Sequence, residues 1–178
     1  MRKVTFGGAN SLDNYIARKD DAVDWLMWND ELTQIMKDYW ATIDTMVMGR
    51  RTYEVSMRMA QDVDTGMLPQ VKTYVFSRML KQEDAKGAEI IVSEDAADFV
   101  RRLKNEEGKD IIVMGGGILA RSLFEADLID EIGFNIHPVL LGSGIPLYYE
   151  MTKQIDLELL KCQELKNGCV VLTYKVKH

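Results

Sequence analysis

The chain has 178 residues, of which 47% are hydrophobic and 28% charged, with a formal net charge of -6 and a pI of about 5.0. That balance suits one domain over residues 1–178 with a single sizeable core, and the acidic excess argues against nucleic acid or an anionic membrane as the main partner. No apolar run reaches the roughly 18 residues of a membrane span, and the N-terminus enters a strand pattern without the apolar segment of a signal peptide.

In chain order, Lys3 to Gly7 reads as a first strand, Gly8 to Asn14 as a loop and Tyr15 to Ala17 as a short strand or extended turn. Residues 29 to 41 place Leu32, Ile35, Met36, Tyr39 and Trp40 three and four apart, which is one face of a helix, with Asn29 or Asp30 as N-cap. Thr45 to Met48 is a buried-type strand followed by a helix from Arg50, and residues 60 to 70 read as loop. Thr73 to Phe76 and Glu89 to Val92 are strands, and Ser93 caps a helix through Lys104. Asp110 to Met114 is a strand, and Gly115-Gly116-Gly117 opens a helix through Phe124. Asp130 to His137 is a strand, and Pro138 to Pro146 a loop. Ile155 to Leu165 and Cys169 to Val176 form a closing hairpin, with Val170, Leu172, Tyr174 and Val176 facing inward. Alternating strands and helices imply an α/β fold with a mostly parallel sheet covered on both faces, and the hairpin adds antiparallel pairing.

The cysteines, Cys162 and Cys169, flank Asn167-Gly168, the strongest short hairpin signal. With those two residues as the loop, Lys166 pairs with Cys169 and Cys162 with Thr173. The sulfurs are then roughly 10 Å apart, too far to bridge. Two histidines, His137 and His178, complete no familiar zinc spacing, so no metal is expected. A reducing cytoplasm is the simple reading.

Two strand-to-helix junctions carry the chemistry. One is Gly49-Arg50-Arg51-Thr52, the other Gly115-Gly116-Gly117-Ile118-Leu119. A helix N-terminus offers unpaired N–H groups and a partial positive charge, and glycine lets an anion approach them. Arg50 and Arg51 in a first helical turn are unfavourable unless an anion joins them, and Ser77-Arg78 repeats the theme after another strand. Two such junctions with extra guanidinium groups suit the diphosphate and further phosphate of NADPH. Asp13 reads either as a turn residue or as a carboxylate gripping a polar substrate. Of Trp25 and Trp28, at least one belongs to the core and the other can stack on a planar ring. Asp13, Asp30 and Glu31 are the candidate proton donors, beside water.

These motifs resemble the dihydrofolate reductase-like superfamily, and within it the stand-alone relatives of the reductase domain of bifunctional riboflavin-biosynthesis enzymes. The resemblance rests on Ser11 to Ala17, Met48 to Tyr53, Gly115 to Gly117, and Asp130-Glu131-Ile132 leading to Pro138 through Pro146. It implies a three-layer fold with an eight- or nine-stranded central sheet, NADPH as hydride donor, and a homodimer. By resemblance, Gly49, Arg50, Arg51 and Thr52 hold the diphosphate and 2′-phosphate. Ser77 and Arg78 lie near the adenosine phosphate, Gly115 to Leu119 meet the diphosphate and nicotinamide, and Asp13 faces substrate. This chain carries Met114 where that branch usually has glutamate and Asn14 where it usually has glycine. It lacks the Pro-Trp segment of folate-reducing members and the zinc deaminase signature of the bifunctional enzymes. The expectation is an NADPH-dependent reductase of a small heterocyclic or carbonyl substrate, resembling the 5-amino-6-(5-phosphoribosylamino)uracil reductase domain. A nucleotide-binding module without turnover, a dihydrofolate reductase, and an interaction protein that binds no nucleotide are the alternatives.

Overall fold

A computed structural model describes residues 1–59 and 71–178, so the loop expected at 60–70 lies outside the described residues. The central sheet has eight strands in the order β5-β4-β3-β6-β1-β7-β10-β9. These are β1 (Val4–Ser11), β3 (Ile43–Gly49), β4 (Lys72–Phe76), β5 (Ile90–Val92), β6 (Asp110–Met114), β7 (Glu131–His137), β9 (Leu157–Glu164) and β10 (Val170–Val176). The first six of these run parallel, while β10 is antiparallel to both β7 and β9. A separate ribbon pairs β2 (Tyr15–Ala17) with β8 (Ile145–Pro146).

Helices cover both faces. On one, α3 (Ala96–Asn105) and α4 (Gly117–Glu125) close a core around Phe6, Val47, Ile111, Val113, Leu123 and Phe124. On the other, α1 (Asp30–Trp40) and α2 (Arg50–Met59) cover Met46, Met48, Val75 and Ile112. Alternate side chains of one strand point to opposite faces, so Met46 and Met48 serve one layer while Val47 serves the other. The chain therefore has the expected three layers.

Several local details differ from expectation. The first strand runs on to Ser11, because β7 pairs with it residue by residue up to Ser11 opposite His137. Gly7, Gly8, Ala9 and Asn10 have little intrinsic strand preference, and the neighbouring ladder overrides it. Asn29 caps α1 by accepting from the Leu32 amide. The cap of α3 is Asp95 rather than Ser93, its carboxylate accepting from the amides of Ala97 and Asp98.

The closing turn has three residues, Lys166-Asn167-Gly168, inside a Leu165–Cys169 pair. The Leu165 amide donates to the Cys169 carbonyl at 2.8 Å, and Gly168 donates to the Leu165 carbonyl at 2.9 Å. Gly168 has φ 84, as a three-residue hairpin with a bulge requires. Cys162 therefore lies opposite Leu172, one position from the two-residue register. Tyr174 and Val176 pack into the α3–α4 core as expected. Val171, on the opposite face, packs with Leu32, Leu165 and Cys169, so this strand uses both faces. Both cysteines are free.

A buried ion pair pins the start of the sheet. Lys104, 5% exposed, donates to Asp130 Oδ2 at 2.5 Å and to the Leu128 carbonyl at 3.2 Å. Asp130 Oδ2 also accepts from the Val4 amide at 2.7 Å, so the pair ties α3 to the entry of β1 and β7. Removing the ammonium leaves buried acceptors without a partner. Lys104→Ala should lower stability by about 1–3 kcal/mol in urea denaturation.

Candidate functional site

A cavity of about 1150 Å³ opens at the carboxyl ends of the parallel strands and runs beneath α1. Along β7 its lining includes Glu131, Gly133, Asn135 and His137. Six steps of a strand at about 3.3 Å each make that path roughly 20 Å long. Gly49, Arg50, Arg51, Thr52, Ser77, Arg78 and the run from Gly115 to Leu119 all border it. The structure thus brings together every residue expected at the nucleotide end.

The register of the sheet builds this end. Met48 of β3 lies opposite Met114 of β6, so both strands stop at the same level and α2 and α4 begin side by side. Gly116 caps α4 with φ 69 after Gly115 at φ 53, a backbone that side-chain-bearing residues rarely adopt. A Cβ on Gly115 would run into Thr52 at 2.9 Å, and one on Gly116 would sit 3.5 Å from the Gly49 amide. The two junctions therefore touch. A Cβ on Gly49 would meet nothing within 4 Å. Bare backbone between two helix N-termini is a cradle for an anion of diphosphate size.

The arginines are placed as expected, but they do not wait unpaired. Arg50 Nη1 donates to Glu54 at 2.7 Å, and Arg51 donates to Asp21 at 2.8 Å. Asp21 also takes Arg58 at 2.8 Å. Burial pushes the Asp21 carboxyl up, but the Arg58 and Arg51 guanidiniums outweigh that and hold it below the usual range. The cost of two cations at a helix start is thus offset within the protein. Buried Ser77 uses its Oγ to accept from the amides of Met79 and Leu80. Arg78 is exposed and has no ion pair among the described residues. Ser93, Glu94, Asp95 and Ala96, at the start of α3, complete this end.

Beyond the cradle lies the space under α1. Trp28, 60% exposed, stands on its wall, whereas Trp25 is buried edge-on against His137 at 5.2 Å between centroids. Asn135 and His137 were missed as site residues. The available signal was the period-two polar run Glu131, Asn135, His137 interrupted by Gly133. His137 is 1% exposed, and burial lowers its pKa, so the ring is neutral at pH 7. Its Nδ1 accepts from the Met27 amide at 3.2 Å, which leaves the ring proton on Nε2. Asn135 Nδ2 faces Nε2 at 3.0 Å, and with the ring proton on Nε2 the pair is satisfied only with the Asn135 amide turned by 180° so that its oxygen accepts. Cys169 Sγ is 3.5 Å from Nδ1, and burial pushes its thiol up.

The three carboxylates considered as proton donors are not gathered in this space. Asp13 accepts from Ser11 Oγ at 2.6 Å, from the Gly142 amide at 2.7 Å and from the Leu141 amide at 3.1 Å. The Ser11 hydroxyl lowers its carboxyl most, and together with these amides outweighs desolvation and holds it below the usual range. It is therefore ionised at pH 7 and clamps the β1–β2 loop to the loop after β7. Asp30 is exposed at the start of α1, away from the cavity lining. Glu31 accepts from the Lys166 amide at 3.0 Å, tethering α1 to the hairpin turn. Among the described residues no group of histidine, cysteine and carboxylate side chains is arranged to hold a metal ion.

A parallel-centred sheet ending in an antiparallel hairpin, with paired helix starts over its carboxyl edge, defines a dihydrofolate reductase-like protein. The chain matches the RibD C-terminal domain model over residues 2–171 and belongs to that family. YwjB of Bacillus subtilis, itself uncharacterised, is 38% identical over 161 residues, covering 89% of each chain. A putative riboflavin biosynthesis protein from Shewanella sp. PV-4 superposes over 100% of both chains with a TM-score of 0.79 and 26% identity. Dihydrofolate reductase from Enterococcus faecalis, solved with NADP(H), shares the fold with a TM-score of 0.68 at 15% identity, covering 99% of this chain and 97% of its own.

The Asp13 clamp makes a direct prediction. Asp13→Ala should speed hydrogen exchange at the Leu141 and Gly142 amides and leave exchange in β3 and β6 unchanged. Unaltered protection at both amides would show that the carboxylate does not hold this loop.

Proposed function

We propose that the protein is an NADPH-dependent reductase that delivers hydride to a small, flat heterocyclic or carbonyl acceptor. The observation that carries this reading is the side-chain-free cradle at Gly49 and Gly116 between two helix N-termini, continuous with a space under α1 that admits a second molecule. Bound NADPH supplies the hydride. The chain's own part is to hold and orient two reactants and to limit water.

The backbone amides at the starts of α2 and α4 would hold the diphosphate. Thr52 Oγ1, beside Gly115 and Gly116, adds a hydroxyl donor there. Arg78 and Arg51 would read the 2′-phosphate, with Asp21 yielding part of its hold on Arg51. None of Asp13, Asp30 and Glu31 lines the cavity, so none of the three is placed to give the proton that completes reduction.

A cofactor titration tests this. NADPH should bind more tightly than NADH, and Arg78→Ala should narrow that gap by about tenfold, or about 1.4 kcal/mol. Gly49→Val adds bulk only to the cradle, because the position is open and its φ lies outside the left-handed region. It should weaken NADPH at least about tenfold with an unchanged unfolding midpoint. Normal NADPH binding by Gly49→Val would remove the basis for the cofactor assignment.

We further propose a cytoplasmic homodimer. The two free cysteines fit a reducing compartment, and no helix among the described residues is long and apolar enough to cross a membrane. At the sheet edge, β9 leaves one ladder of backbone groups unpaired and exposes Leu157, Leu159 and Leu160. Such an edge invites pairing with a second copy. Sedimentation at micromolar concentration should show a dimer and Leu159→Glu a monomer. A monomeric parent chain would overturn this assignment.

A further inference from the structure

The space not taken by the cofactor residues lies between α1 and the sheet. Its floor is stripped of side chains where β1 and β7 adjoin. A Cβ on Gly7 would stand 2.8 Å from the Gly133 carbonyl oxygen, and one on Gly133 would meet only Thr5, at 3.7 Å. Ile35 and Met36 of α1 form the opposing wall. A bare floor beneath apolar side chains accepts a flat ring.

The inner end of this space has a definite electrostatic character. Three carboxylates border it, Asp38, Asp110 and Glu131, against two ammonium groups, Lys3 and Lys161. Lys3 Nζ is already engaged by Glu131 at 3.0 Å and lies 3.8 Å from Asp110. The Tyr39 hydroxyl is buried here beside Thr5, within reach of the charges of Glu131 and Asp110. Burial pushes its phenol up to about 12, so it remains a neutral hydroxyl. A phosphate or carboxylate at this end would face net negative charge, with Glu131 the less exposed of the charged pair it forms with Lys3. An N–H donor or a cation would meet acceptors.

We propose that the acceptor is an elongated flat molecule with no phosphate or carboxylate, whose inner end presents N–H donors or a positive charge to Glu131 and the Tyr39 hydroxyl. This rests on the reductase reading for the word acceptor, but the recognition itself is a property of the cavity. It separates the substrate end from the nucleotide end, where anions are favoured. One cavity thus selects an anionic partner at one end and rejects anions at the other.

Matched ligands test this by calorimetric titration of the full chain. The pairs are 9-aminoacridine, a cationic flat tricycle, against acridine-9-carboxylate, and riboflavin against its phosphate ester FMN. The uncharged or cationic member should bind at least about tenfold more tightly in each pair. Glu131→Gln should narrow the acridine gap by about threefold or more. Glu83→Gln, a charge change on an exposed side chain outside the cavity, should leave it as it is. Equal or tighter binding of the anions, absence of saturable binding by the cationic and neutral rings, or equal narrowing by both variants would overturn the proposal. A separate NADPH titration distinguishes the failures. Loss of NADPH binding with the ring preference intact removes the reductase reading alone, and normal NADPH binding without the preference removes this inference alone.

Discussion

The parallel register between β3 and β6 is the constraint on which the paired helix starts depend. With Met48 opposite Met114, the two strands end level, and the helices that follow start against each other. A slip of either strand would displace one glycine junction from the other and turn inward residues outward. Hydrophobic alternation guards against that slip, since Val47 and Val113 are committed to one core and Met48 and Ile112 to the other. The forces that fix the core also position the cradle.

The space under α1 has the opposite origin. Along β1 and β7 the face toward α1 carries Thr5, Gly7 and Gly133 where a tightly packed core would place large apolar side chains. Leaving that space forgoes burial worth about 25 cal/mol per Å² of apolar surface. The loss is confined to one face, because Phe6, Ile132 and Phe134 on the same strands pack fully beneath α3 and α4. The stability of these strands comes from one side and the open cavity lies on the other.

Much of this was legible in the sequence. The helix at 30–40 and the strand-to-helix junctions follow from periodicity and capping, and the eleven residues singled out by motif and resemblance all border one cavity. What was not legible depends on contacts far apart in the chain. The strand from Gly8 to Ser11 exists because β7 pairs with it, over 120 positions away. The hairpin register turned on one residue, since a bulged three-residue turn and a two-residue turn share the same Asn-Gly signal. Asp21 gave no sign that it binds both Arg51 and Arg58, because those partners lie 30 and 37 positions on. The roles of Asn135 and His137 depend on which strands flank β7 and on the loop that brings the Met27 amide to the ring.

The tether from Glu31 to the Lys166 amide has a consequence for divergence among related chains. It fastens the first turn of α1 to the tip of the hairpin, and Leu32 reinforces it by packing on Leu165 and Cys169. The height of α1 above the sheet is therefore set by a turn at the far end of the sequence. Lengthening or shortening that turn would raise or lower the cavity roof with every lining residue retained. The depth of the space under α1 can in this way drift through the hairpin tip while the paired helix starts stay fixed, so residue-by-residue comparison of the lining would miss the change.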